Sequence, residues 1–148
     1  MASLADLERD LRRLQRSARA ELDAATMRAA RQGMTHAKKL SSGPFGARSL
    51  AEIDAPYAVR HGAPKLPPEV INARSGVFRE HWTATRAPSA DGTVLIKNTD
   101  PKAKFLERGT PTMFARPIDV PVELFVTRTA LPLQIQVAIL RIQRTPHA

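Results

Sequence analysis

Cysteine is absent from the 148 residues, which excludes disulfides and thiolate chemistry and leaves the redox compartment open. Aromatic side chains make up only 5%, with one Trp (Trp82) and one Tyr (Tyr57). A core built without them rests on Leu, Ile, Val and Ala, and a core that lean is expected to finish its burial against neighbouring subunits. No run approaches the roughly 18–20 apolar residues that span a bilayer. The first residues are charged from Asp6 onward and hold no signal-peptide core, so a soluble protein without an export signal is expected. Carboxylates are also outnumbered, 14 against 23 Lys and Arg, giving a net charge of +9 and a pI near 11.0. A surplus of this size implies an anionic partner, whether nucleic acid, membrane or acidic protein, or else an Arg-rich solvated surface. The length suits one domain, 1–148, and the 43% hydrophobic share suits a folded one.

The recurrent catalytic patterns are missing as well. There is no G-x-S-x-G, no phosphate-cradling G-x-x-x-x-G-K and no G-x-G-x-x-G. His36, His61, His81 and His147 stand apart from one another, and none is placed with a second ligand at zinc spacing. Glu80 and Glu107 are the best acid pair on offer, and nothing in the sequence ties them together. No catalytic residue, metal or cofactor is expected, and the chain reads as a non-enzyme.

What is present begins with a helix over 3–39. Ser3 and Asp6 form a capping signal for its first turn. Leu4, Leu7, Leu11, Leu14, Ala18, Leu22, Ala25 and Ala29 follow at spacings of three and four, which puts them on one face. Arg9, Arg12, Arg13, Arg16 and Arg19 fall largely on the other. They are interleaved with Asp6, Glu8, Asp10, Glu21 and Asp23, as on a solvated helix laced with ion pairs. The Leu-to-Ala change along the stripe lets a helix or a sheet approach closely at its later turns. The Arg face is also a candidate for nonspecific contact with a phosphate backbone, although no recognition-helix pattern or aromatic interleaving accompanies it.

Residues 41–72 carry Ser41-Ser42-Gly43-Pro44, Gly46, Pro56, Gly62, Pro64, Pro67 and Pro68, a density that breaks helix and strand alike. A long extended arm is expected there, with one helical turn near Ser49–Ile53, and in an assembly such an arm lies on a neighbour. Strands are expected over 76–87 and 93–98, joined by a turn at Pro88–Gly92 in which Asp91-Gly92 supplies positive φ. A short helix over Lys102–Arg108 ends at Gly109. From Ile118, two alternating runs (Val120, Val122, Leu124, Val126, then Leu131, Leu133, Ile135, Val137, Ile139) favour a strand hairpin about Pro132. Leu133, Val137 and Leu140 also fit a helix. The sum is an α+β fold: a small, mostly antiparallel sheet crossed by the long helix, with a long Pro/Gly-rich arm.

Three segments carry a family resemblance. Asn72-Ala73-Arg74-Ser75-Gly76-Val77-Phe78-Arg79-Glu80-His81-Trp82 is followed by Lys104-Phe105-Leu106-Glu107-Arg108-Gly109-Thr110, and then by Ala115-Arg116-Pro117. In this order and spacing the chain resembles the neck, or head–tail connector, family of tailed phages. Members run from a long N-terminal helix through (T/S)-G-x-(L/F)-R-x-S and a two-stranded stretch to Y-A-x-F-L-E-x-G-T and x-A-R-P-F. Tyr57-Ala58-Val59-Arg60-His61-Gly62 with Leu66-Pro67-Pro68 is similar to a longer-armed branch. Trp82 stands near the usual Ser, Lys102-Ala103-Lys104 replaces the Tyr-Ala step, and Ile118 replaces the final Phe. The tail also lacks the Ala/Glu-rich terminal helix common in relatives.

The resemblance implies a virion protein of the neck, made in the host cytoplasm. It implies a ring, sixfold or twelvefold, with head-completion or adaptor proteins on one side and the tail terminator or tail tube on the other, and genomic DNA in the channel. Its motif and interface residues would be Gly76, Phe78, Arg79, Phe105, Leu106, Glu107, Gly109, Thr110, Ala115, Arg116 and Pro117. On physical grounds, Gly76 permits a tight approach to the first strand. Glu107 is placed to accept from backbone N–H groups at Gly109-Thr110, where the short helix ends, or from Arg116, which would make a clasp of the two. A basic, nonspecific DNA-binding protein is the alternative reading.

Overall fold

A computed structural model describes residues 3–43, 45, 47–68, 71, 76–88 and 92–144. The chain is α+β, a 37-residue helix crossing a two-stranded hairpin and a long C-terminal helical segment. Helix α1 (Leu4–Leu40) starts at a full capping box. The Ser3 hydroxyl accepts the Asp6 N–H, and the Asp6 carboxylate accepts the Ser3 N–H at 3.1 Å. Two first-turn donors are thereby satisfied. The helix ends where the Ser41 hydroxyl turns back to donate to Ala37 O at 2.8 Å.

Strand β1 (Trp82–Arg86) pairs antiparallel with β2 (Val94–Asn98), Trp82 opposite Asn98 and Arg86 opposite Val94. The turn residues 89–91 lie outside the described residues, and so does the 72–75 segment of the first motif. Between α1 and β1 lie α2 (Ala47–Glu52) and the single turn α3 (Val77–Glu80). The expected strand over 76–87 therefore begins only at Trp82. Gly76, at φ +76°, caps the α3 turn in the left-handed region, a conformation glycine adopts without cost. After β2 come α4 (Ala103–Arg108), closed by Gly109, and α5 (Asp119–Phe125), which runs through a π-helical turn at Val126–Ala130 into α6 (Leu131–Arg144).

The strand hairpin expected after Ile118 is replaced by this helix. Its inward positions recur every four residues, with Ile118, Val122, Ala130 and Ala138 buried and Val126 and Gln134 half-buried. The alternation in the sequence comes from apolar residues on the outward face as well. Pro132 has no N–H for a regular helical bond, and its ring would crowd the carbonyl four residues back. The chain widens just before it, where the Leu131 N–H bonds Val126 O, five residues back.

The core forms where α1, the hairpin and α5 meet. Ala37, Ile71, Trp82, Ile118 and Val122 are buried there, with Met34, Phe78, Ile96, Leu106 and Val126 packed around them. The Trp82 indole N–H donates to Ser41 Oγ at 2.9 Å, so the one Trp is buried with its polar handle satisfied. The described residues of 41–72 do not run out as an extended arm. Leu50, Tyr57 and Leu66 bury together against Phe45, Ile53 and Met113, and Phe114 N–H donates to Tyr57 O at 2.9 Å. Widely spaced apolar residues fold this Pro-rich stretch back onto its own chain. Among the described residues, no helix is long and apolar enough to cross a membrane.

Candidate interaction surfaces

The second and third motifs meet in one turn. Leu106 O accepts the Arg116 N–H at 2.6 Å, and Thr110 and Met113 exchange backbone bonds at 2.8 and 3.1 Å. Gly109 makes this return feasible. At φ +72°, a Cβ added there would stand 2.7 Å from Ala115 N and 2.8 Å from Met113 O, both immovable backbone atoms. Pro117 follows on the exposed side of the turn.

Glu107 and Arg116 do not clasp each other. The Glu107 carboxylate accepts the Ile118 N–H at 2.9 and 3.1 Å, at the start of α5, where the helix dipole favours an anion. Burial nonetheless pushes its pKa above the usual glutamate value, and nearby Asp119 adds to the rise. Arg116 turns the other way. Its guanidinium lies 4.3 Å from the Tyr57 ring centroid, and one terminal nitrogen donates to the Met113 sulfur at 3.0 Å. Its Nε is buried with no hydrogen-bond partner, and no carboxylate among the described residues pairs with it. Burial lowers its pKa, with Tyr57 opposing the shift.

Gly76, Phe78, Leu106 and Arg116 come together with Tyr57, Ser41, Met113 and others around one cleft of about 560 Å³. Phe78 also meets Trp82 edge-on, ring centroids 6.3 Å apart. Arg79 and Phe105 do not join the cleft. Arg79 bonds Glu80 at 2.9 Å, and Phe105 is exposed beside Lys104. Glu80 also holds Lys38 at 3.0 Å, and both cations lower its pKa. It has no tie to Glu107. His81 sits 3.4 Å from Asp100, and His36 stacks on Phe125 at 4.4 Å. His147 lies outside the described residues.

A second surface is the apolar stripe of α1. Its Ala half is covered: Ala25, Ala29 and Ala37 are buried. Its Leu half is open, with Leu4 87%, Leu7 55% and Leu11 57% exposed. The reason is the length of α6. Arg28 bonds Gln134 at 2.9 Å and Arg141 approaches Glu21 at 3.8 Å, so α6 runs antiparallel to α1 and ends beside its fourth and fifth turns. The first fourteen residues, about 21 Å of helix, project past it. The outward face of α5 and α6 is apolar too, with Val120, Leu124, Leu133 and Leu140 exposed. Sequence reasoning placed the Leu stripe correctly but gave no sign of where its cover stops.

No family model matches this chain, and no match is found among curated proteins or solved structures.

Proposed function

We propose that this chain is a structural subunit that works by assembling with copies of itself, as one copy in a ring at the neck of a tailed phage. The observation that carries the assembly is the uncovered Leu stripe. Leu4, Leu7, Leu11 and Leu14 recur at the three–four spacing of a helix-packing seam, yet all four are exposed, with no described element packed over them. Exposed stripes of this kind mark surfaces that a partner covers. The phage setting rests on the ordered motif resemblance between Asn72 and Pro117. In that setting the ring, sixfold or twelvefold, joins head-completion or adaptor proteins to the tail terminator or tail tube around the DNA channel. It acts mechanically, without catalysis or a cofactor.

Native mass spectrometry of the purified protein, alone and with the proteins encoded beside it, tests this reading. Closed assemblies of fixed copy number are expected, and negative-stain images should show rings. A persistent monomer that joins no neighbour would overturn it. The basic DNA-binding reading draws on the Arg residues of α1, which lie largely opposite the Leu stripe. It predicts duplex binding by a monomer or dimer, with affinity falling steeply as salt rises.

A further inference from the structure

In the cleft, Arg116 pairs with no carboxylate among the described residues: Asp100, which also lines it, is engaged by His81 and by the Lys102 N–H. The cleft walls include Leu50, Ile71, Phe78, Leu106 and Met113. The Arg116 guanidinium lies over the Tyr57 ring, interacts with the Tyr57 side chain and donates to the Met113 sulfur, while its Nε is buried without a hydrogen-bond partner. A desolvated charge in that state is costly, and a carboxylate is the group that relieves it. Lys102, which also lines the cleft, adds a second cation.

The projecting tip of α1 has the complementary chemistry. Its Leu residues are exposed, and Glu8 and Asp10 flank them, while Arg9, Arg12, Arg13 and Arg16 fall largely on the opposite face. Asp6 is engaged by Ser3 and Arg9, and Glu8 by Arg12. Asp10 forms no ion pair among the described residues. It stands three residues after Leu7 and four before Leu14, on the flank of the seam. The tip cannot reach the cleft of its own chain. Ser41, at the far end of α1, lines that cleft, and thirty residues of helix hold Leu11 roughly 45 Å away.

We propose that the α1 tip of one copy docks in the Arg116 cleft of the next, its Leu side chains entering the apolar walls and Asp10 meeting Arg116. The inference rests on the assembly reading and names the surfaces that meet. Tip and cleft are different patches, so the contact is heterologous, the kind that closes a ring or extends a filament.

A double-mutant cycle on the full chain tests it, with self-association followed by sedimentation. Asp10→Asn removes the exposed anion, and Arg116→Met removes the cation while keeping an apolar stem, with folding checked by circular dichroism. Each is expected to weaken association at least about tenfold, and the double variant to lose no more than either single one. Losses that multiply independently, or Asp10→Asn without effect, overturn the pairing. Leu7→Ser with Leu11→Ser separates the two readings. If that pair dissociates the assembly while Asp10→Asn and Arg116→Met do not, self-assembly stands and the docking of tip in cleft is wrong. A wild-type chain that stays monomeric overturns both.

Discussion

The Glu107 carboxylate receives the Ile118 N–H on both oxygens, yet burial raises its pKa. The two effects separate under substitution. Glu107→Gln keeps an acceptor for Ile118 and removes the desolvated charge, so stability near neutral pH should stay within about 0.5 kcal/mol of wild type. Glu107→Ala orphans the N–H of a fully buried residue and should cost about 1–2 kcal/mol in urea unfolding. A carboxyl whose pKa is higher folded than unfolded stabilises the fold most when protonated. Wild type should therefore gain on Glu107→Gln as pH falls from neutral toward the ordinary glutamate value of 4.5. A wild type that instead loses ground to Glu107→Gln on acidification would show that the backbone bonds, and not burial, dominate at this carboxylate.

Among the elements, α1 depends on one small residue at its crossing. A Cβ on Gly33 would collide with Val126 and stand 2.8 Å from Ile96 Cδ1, where helix, hairpin and π turn converge. In an exposed helix, Gly→Ala gains about 1 kcal/mol from propensity. Here the collision should outweigh that gain and leave Gly33→Ala destabilised by about 1–2 kcal/mol in thermal or urea unfolding. An equal or higher Tm would mean that Val126 and Ile96 yield freely. The extent of α1 was legible in the sequence, 3–39 expected against 4–40 found, because Ser3 and Asp6 form a local cap and the stripe is a local period. The helical segment 103–108 and its stop at Gly109 were legible for the same reason. The C-terminal helix was not. Its β-branched and Leu residues lie on inward and outward faces alike, so period two and period 3.6 both fitted, and Pro132 looked like a break until the π turn absorbed it. At the site, Glu107 was expected to accept from backbone N–H groups at Gly109-Thr110 or from Arg116, and it accepts the Ile118 N–H instead. Its partner Ile118, and the stacking of Arg116 on Tyr57, join residues 11 and 59 positions apart, and only tertiary packing brings them together.

At the scale of the whole molecule, the chain divides into a covered body and an uncovered projection. The residues Leu4–Ser17 continue a helix already nucleated in the body, so they pay no nucleation cost, but they also gain no tertiary burial. Their one strong local support is the capping box, in which Ser3 holds the Asp6 pKa below its usual value. Bare propensity over this length is marginal in water, so the projection should fray when the protein is dilute and form fully when a partner covers the Leu face. Hydrogen exchange read at two concentrations tests this. In dilute monomer, amides of residues 7–17 should exchange nearly as fast as an open chain, while those of 25–37 stay protected. On raising concentration into the assembled range, protection of 7–17 should increase by at least about tenfold, with little change at 25–37. If the projection is equally protected at both concentrations, the stripe is held by something other than self-association. If it stays unprotected in a verified ring, the ring is closed by another surface, the apolar outer face of α5 and α6 being the next to test.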